Sequence, residues 1–137
     1  MVLDGDRISP TYFKHEKRPL ELIEDRPQFI QKARNVFSSV ITTYQPDRLG
    51  YMLTMNAKSQ AQLAGLLLPF GALNWCAADA GTQCREFIAP NFSKSFFAKD
   101  PIVFTGWKSA CDSLLGAHPP NWTDAERQAA LAALGAL

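Results

Sequence analysis

At 137 residues, 47% of them hydrophobic and 20% charged, the chain is long enough to bury the core of one ordinary domain without covalent staples. Fourteen Lys and Arg against thirteen Asp and Glu leave a formal charge of +1, so no overall field draws the protein to nucleic acid or to an anionic membrane surface. Three cysteines, Cys76, Cys84 and Cys111, have no CxxC spacing, and the two histidines stand outside any ligand spacing, so neither a disulfide framework nor a zinc site is indicated.

The first residues, MVLDGDRISPTYF, carry Asp4 and Asp6 and no apolar segment of the kind a secretory leader needs. Residues 1–25 have no sustained period and are interrupted by Pro10 and Pro19, with Pro27 just beyond. They read as an extended arm with a short turn at Leu20 to Glu24, ahead of a single helical domain over 26–137. Such an arm buries too little by itself to offset its chain entropy, so it points to a partner surface.

The clearest helix follows. Phe29, Ile30, Ala33, Val36, Phe37, Val40, Ile41 and Tyr44 form one stripe at a 3.6-residue period. Asp25 suits the N-cap, Pro27 is tolerated in the first turn, and Pro46 closes the other end. The opposite face ends in Ser38, Ser39, Thr42 and Thr43, polar but uncharged. After a link through Asp47 to Gly50, Tyr51 to Met55 is a short strand candidate.

Residues 59–78, SQAQLAGLLLPFGALNWCAA, contain no charge. As a helix they would span roughly 30 Å, about the thickness of a bilayer core. Leu63, Leu66, Leu67, Leu68, Phe70 and Leu73 contribute only roughly −2 to −4 kcal/mol on an insertion scale, and Gln62, Asn74 and Pro69 oppose insertion by a similar amount. The window is therefore either a buried helix of a soluble core or a helix embedded in or lying on a membrane. Pro69 and Gly71 are expected to kink or split it.

In the next segment Thr82 can cap a short helix over Gln83 to Ala89, stopped by Pro90. Phe87, Phe92, Phe96 and Phe97 then crowd together with Lys94 and Lys99 between them. This pattern suits a small core, an interfacial patch or, least of all at a local charge of only +2, stacking on nucleic acid. Asp100 and Pro101 read as the cap and first turn of a helix carrying Val103, Phe104, Trp107, Ala110, Cys111, Leu114 and Leu115, stopped by Gly116. Cys111 lies on the apolar face, as a buried inert thiol does. After His118 and the stiff Pro119-Pro120 link, Thr123 and Glu126 make a capping box for a last helix from Asp124 to about Leu134.

No dinucleotide, Walker, HExxH or GxSxG motif is present. His15-Glu16 and Cys111-Asp112 are adjacent in sequence, which does not bring side chains together. The sequence thus predicts an all-α fold, a small irregular helical domain of about four helices behind an extended N-terminal arm. It predicts no catalytic residue, cofactor or metal. The expected function is a non-catalytic accessory or assembly subunit of a larger complex, membrane-associated in the manner of an organellar respiratory-type assembly. Its partners would be other protein subunits and membrane lipid, with charge arguing against nucleic acid. A soluble helical inhibitor or immunity protein is the alternative, and a small enzyme whose site is invisible in sequence the third. The candidate interface comprises Leu63, Leu66, Leu67, Phe70, Trp75, Phe92, Lys94, Phe96, Phe97 and Lys99.

Overall fold

A computed structural model describes residues 1–7, 9–21, 23–53, 59–98, 100, 102–116 and 122–137. In chain order the elements are β1 (Val2–Gly5), β2 (Pro10–Lys14), α1 (Arg26–Tyr44), β3 (Arg48–Met52), α2 (Gln60–Asp79), β4 (Gln83–Phe87), a 3-10 turn (Ala89–Asn91), α3 (Trp107–Leu115) and α4 (Asp124–Ala136). The all-α expectation is therefore corrected to a mixed α/β fold, in which β1 pairs with β2 and β3 with β4. Strands of four or five residues are too short for alternation to stand out against the helical stripes.

The arm read as extended is an antiparallel hairpin. Leu3 faces Tyr12 and Val2 faces Lys14, so Phe13 is the extra residue of a bulge, and its side chain is exposed. The chain forms two compact units, one built from Met1–Glu16, Gly50–Leu53 and Arg85–Leu137, the other from Lys17–Leu49 and Thr54–Cys84.

In the second unit α1 packs along α2. Helix α1 starts as its sequence predicts, with the Asp25 carboxylate accepting from the Gln28 amide at 3.1 Å, and it ends on Gln45 in a left-handed conformation. Phe29, Ala33 and Ile41 of α1 and Ala72, Leu73, Cys76 and Ala77 of α2 are buried. Ser59 caps α2, which runs unbroken through Pro69 instead of splitting there. One missing intrahelical hydrogen bond is outweighed by a buried flank. Among the described residues no helix is long and apolar enough to cross a membrane. Gln60, Gln62 and Asn74 dilute the apolar run, so the membrane-spanning alternative for 59–78 falls.

Two further expectations fail for identifiable reasons. Thr82 does not cap a helix: its hydroxyl donates to the Pro46 carbonyl at 3.4 Å, and residues 83–87 form β4. Asp100 does not cap the next helix either, because its carboxylate is buried in a pairing with Arg7, and α3 begins only after Gly106. Tyr51 and Met52 of the 51–55 strand candidate end β3, whereas Thr54, Met55 and Pro101 lie outside the described residues.

In the first unit α4 packs against β1 and α3, and α3 against β2. Phe87, Phe92, Phe97, Ala110, Cys111, Leu115, Trp122, Ala130, Leu131, Ala132 and Leu134 form its core. Two glycines permit the close approach. A Cβ on Gly50 would lie 2.7 Å from the Ala132 carbonyl carbon, and one on Gly135 would lie 2.6 Å from Cζ of Phe87.

Candidate functional site

The capping box foreseen at the last helix is present, and the structure attaches more to it. The Thr123 amide and hydroxyl donate to Glu126 Oε2 at 2.6 and 2.7 Å, and the Glu126 amide donates to Thr123 Oγ1 at 3.3 Å. The other oxygen, Oε1, faces His15 Nε2 at 3.6 Å, an ion-pair distance rather than a hydrogen bond. On the far side of the imidazole the Tyr12 hydroxyl lies 2.8 Å from Nδ1. With Nδ1–H donating to the Tyr12 oxygen, Nε2 is left unprotonated and faces the carboxylate.

Trp122 fixes these rings in place. Its indole is edge-on to His15 at 6.2 Å and tilted against Tyr12 at 5.9 Å, and it is buried in the core. Its Nε1–H is buried without a hydrogen-bond partner among the described residues, and the Trp122 carbonyl accepts from Arg127. The hairpin thus supplies Tyr12 and His15, and the start of α4 supplies Trp122, Thr123 and Glu126. Chemically the set is an imidazole held between a phenol and a carboxylate, able to take a proton at Nε2 and to stabilise the resulting cation.

Charged pairs surround this centre. Arg127 grips Asp112 with two nitrogens, at 2.8 and 3.1 Å, and the bonded carboxylate raises the guanidinium's pKa further. Lys108 and Asp124 pair at 2.7 Å. Arg7 reaches the buried Asp100 carboxylate at 3.5 Å while its guanidinium lies 3.8 Å from the centre of the Phe96 ring. Asp4 and Asp6 are exposed, each accepting from a nearby backbone amide. Among the described residues no three His, Cys, Asp or Glu side chains gather as a metal site.

The sequence-level candidates scatter. Phe92 and Phe97 are buried in the core of the first unit, Phe96 is half-buried against it, and Lys94 is exposed. In the second unit Leu63, Leu66 and Phe70 are half-buried, whereas Leu67 and Trp75 are exposed. Lys99 and His118 lie outside the described residues. Cys111 is buried, as its helical face predicts: burial, reinforced by Asp112, pushes its thiol up to about 12, and the nearby Arg127 only partly opposes this. The thiol is therefore no nucleophile at neutral pH. His15 finds its acid in Glu126 rather than in the adjacent Glu16, across 111 residues that no local motif bridges.

No protein-family model matches the sequence, and no curated protein matches it. The fold has similar solved structures. Thermus thermophilus RuvC in complex with a Holliday junction substrate matches with a TM-score of 0.71 and 11% identity, over 96% of this chain and 81% of that one. The Thermus thermophilus RuvC structure matches with a TM-score of 0.72 and 12% identity, over 97% of this chain and 81% of that one. The chain therefore has a RuvC-like α/β fold. This finding overturns the reading as an all-α accessory subunit of a membrane assembly, because the chain is mixed α/β and shares its fold with RuvC. It also overturns the expectation against nucleic acid, which rested on a total charge of +1 and on a local charge of +2 counted along the sequence, since one of the similar structures holds a Holliday junction substrate.

Proposed function

We propose that the protein binds branched DNA and hydrolyses its phosphodiester backbone as a junction nuclease. The observation that carries this reading is the likeness to RuvC along 96–97% of the chain, one of the two matched structures holding a Holliday junction. The Tyr12–His15–Glu126 array supports it, as the described group best arranged for proton transfer. His15 Nε2 takes the proton of an attacking water, Glu126 stabilises the imidazolium, and Tyr12 keeps the opposite nitrogen engaged. This activity places the protein inside the cell, in a DNA-bearing compartment.

The test is a gel-shift titration with a synthetic four-way junction and with duplex of the same arm sequence, followed by incubation of the junction with Mg2+ or Mn2+ and a denaturing gel. The junction is expected to bind at least about tenfold more tightly than the duplex and to be cut. His15→Gln should retain binding and slow cutting by about 10²-fold or more, the usual contribution of a positioned acid or base. Equal affinity for both DNAs, or no retention of either, overturns the reading, and unchanged cutting by His15→Gln removes that residue from the chemistry.

A further inference from the structure

One ion pair of the first unit is built unlike the others. In the Lys14–Glu16, Lys108–Asp124 and Arg127–Asp112 pairs the acid itself reaches water, with at least 30% of its side chain exposed. In the Arg7–Asp100 pair the acid is 1% exposed and the arginine 36%. A carboxylate buried against one contact of 3.5 Å adds little stability, because its desolvation offsets the attraction. What it does is hold the guanidinium from the protein side. Phe96 covers one face of the same group, with Cζ 3.8 Å from the ring centre.

Fixed in this way, the Arg7 fork makes no other hydrogen bond among the described residues, and the side chain reaches water. Its remaining N–H groups lie in one plane at fixed spacing, ready for a ligand that presents acceptors side by side.

Charge decides what that ligand is. Asp100 neutralises the guanidinium, and Asp4 and Asp6, exposed on the same hairpin, lie within three residues of Arg7. A phosphate oxygen brought here would meet this excess of acid, so the free donors suit a neutral group with paired acceptors. In DNA that group is the major-groove edge of guanine, with N7 beside O6, whereas adenine places a donor where O6 stands. Given the reading of the protein as a DNA nuclease, on which this rests, we propose that Arg7 reads a guanine through N7 and O6 and that Asp100 is its positioning residue.

The test is a gel-shift selection from two pools, four-way junctions randomised over the base pairs next to the branch and linear duplexes randomised over their centre, with the retained DNA sequenced. The wild type is expected to enrich guanine about tenfold over adenine at one position, within the range of a bidentate arginine–guanine contact. The enriched junction remade there with 7-deazaguanine, which carries C–H in place of N7, should lose most of that gain. Arg7→Lys keeps a counter-ion for Asp100 and lacks the fork, so it should abolish the preference at that position alone and change total retention by less than about threefold. Asp100→Asn should reduce the preference without lowering total retention, and an unchanged preference in that variant strips Asp100 of its positioning role.

Enrichment of no guanine, or enrichment that 7-deazaguanine or Arg7→Lys leaves intact, overturns the proposal. An Arg7→Lys variant that binds every sequence evenly more weakly marks a phosphate contact and overturns it as well. The two readings fail separately. Junctions retained over duplexes without guanine enrichment remove Arg7 as a reader and leave the junction nuclease standing. Guanine enrichment of equal strength in duplexes bound as tightly as junctions supports Arg7 and removes the junction reading, and retention of neither pool removes both.

Discussion

Gly50→Ala tests the closest approach in the first unit. The added Cβ would stand 2.7 Å from the Ala132 carbonyl carbon and 3.3 Å from the Ala136 Cβ, with the Ala132 oxygen closer still. Ordinary carbon contacts need about 3.5 Å, so α4 or β3 must move by at least ~0.8 Å. The obstacle is helix backbone, which has no rotamer to give, and α4 carries much of the core. Overpacking costs about 1–3 kcal/mol, offset by about 0.4–1 kcal/mol from the stiffer unfolded chain, and the backbone obstacle puts Gly50→Ala at the upper end, a net loss near 2 kcal/mol or more. Gly135→Ala meets only the end of the Phe87 ring, and it gains up to about 1 kcal/mol of helix propensity, so its net loss should be nearer 1 kcal/mol. Urea unfolding of both variants measures this, with a second series in a Phe87→Leu background. There Gly135→Ala should become cheaper, while Gly50→Ala keeps its cost. A Gly50→Ala loss below about 0.5 kcal/mol, or rescue of it by Phe87→Leu, would refute the packing argument.

Other expectations follow from single side chains. Cys111, held protonated up to about pH 12, leaves stability flat below the ordinary thiol value of 9.0; above it only the unfolded chain releases the proton, so stability falls between pH 9 and 12. That decline is about 2 kcal/mol at pH 10.5, and urea midpoints of Cys111→Ala should lose that part of the slope. Thr123→Ala removes the capping box at α4 and should cost about 1 kcal/mol in the same assay, whereas Thr105→Ala, exposed and outside any helix, should cost almost nothing.

What could be read in the sequence was local. Asp25, the stripe from Phe29 to Tyr44, Gly116 and the Thr123–Glu126 box each act within one helical turn of what they specify, and each appears in the structure. The strands escaped because their stabilising groups lie elsewhere: β1 is defined by its register with β2 and by α4, and β4 by β3. Asp100 looked like a cap because capping is the commonest local use of an aspartate, while its actual partner, Arg7, is 93 residues away. The candidate site has the same character. Tyr12 and His15 sit three residues apart in an unremarkable hairpin, and only the fold brings Glu126 to them. At 11–12% identity, the RuvC likeness resides in the arrangement of elements and leaves little trace in residue types.

The discontinuous make-up of the first unit has a consequence for synthesis. Its hairpin leaves the ribosome well before α4, which packs against it. An isolated two-stranded hairpin is marginal in water, so Met1–Glu16 must wait as loose chain. The second unit lies between and has all its own residues in hand by Cys84. Assembly of the second unit during translation therefore precedes that of the first, and the nascent hairpin stays open to proteases and chaperones until α4 arrives.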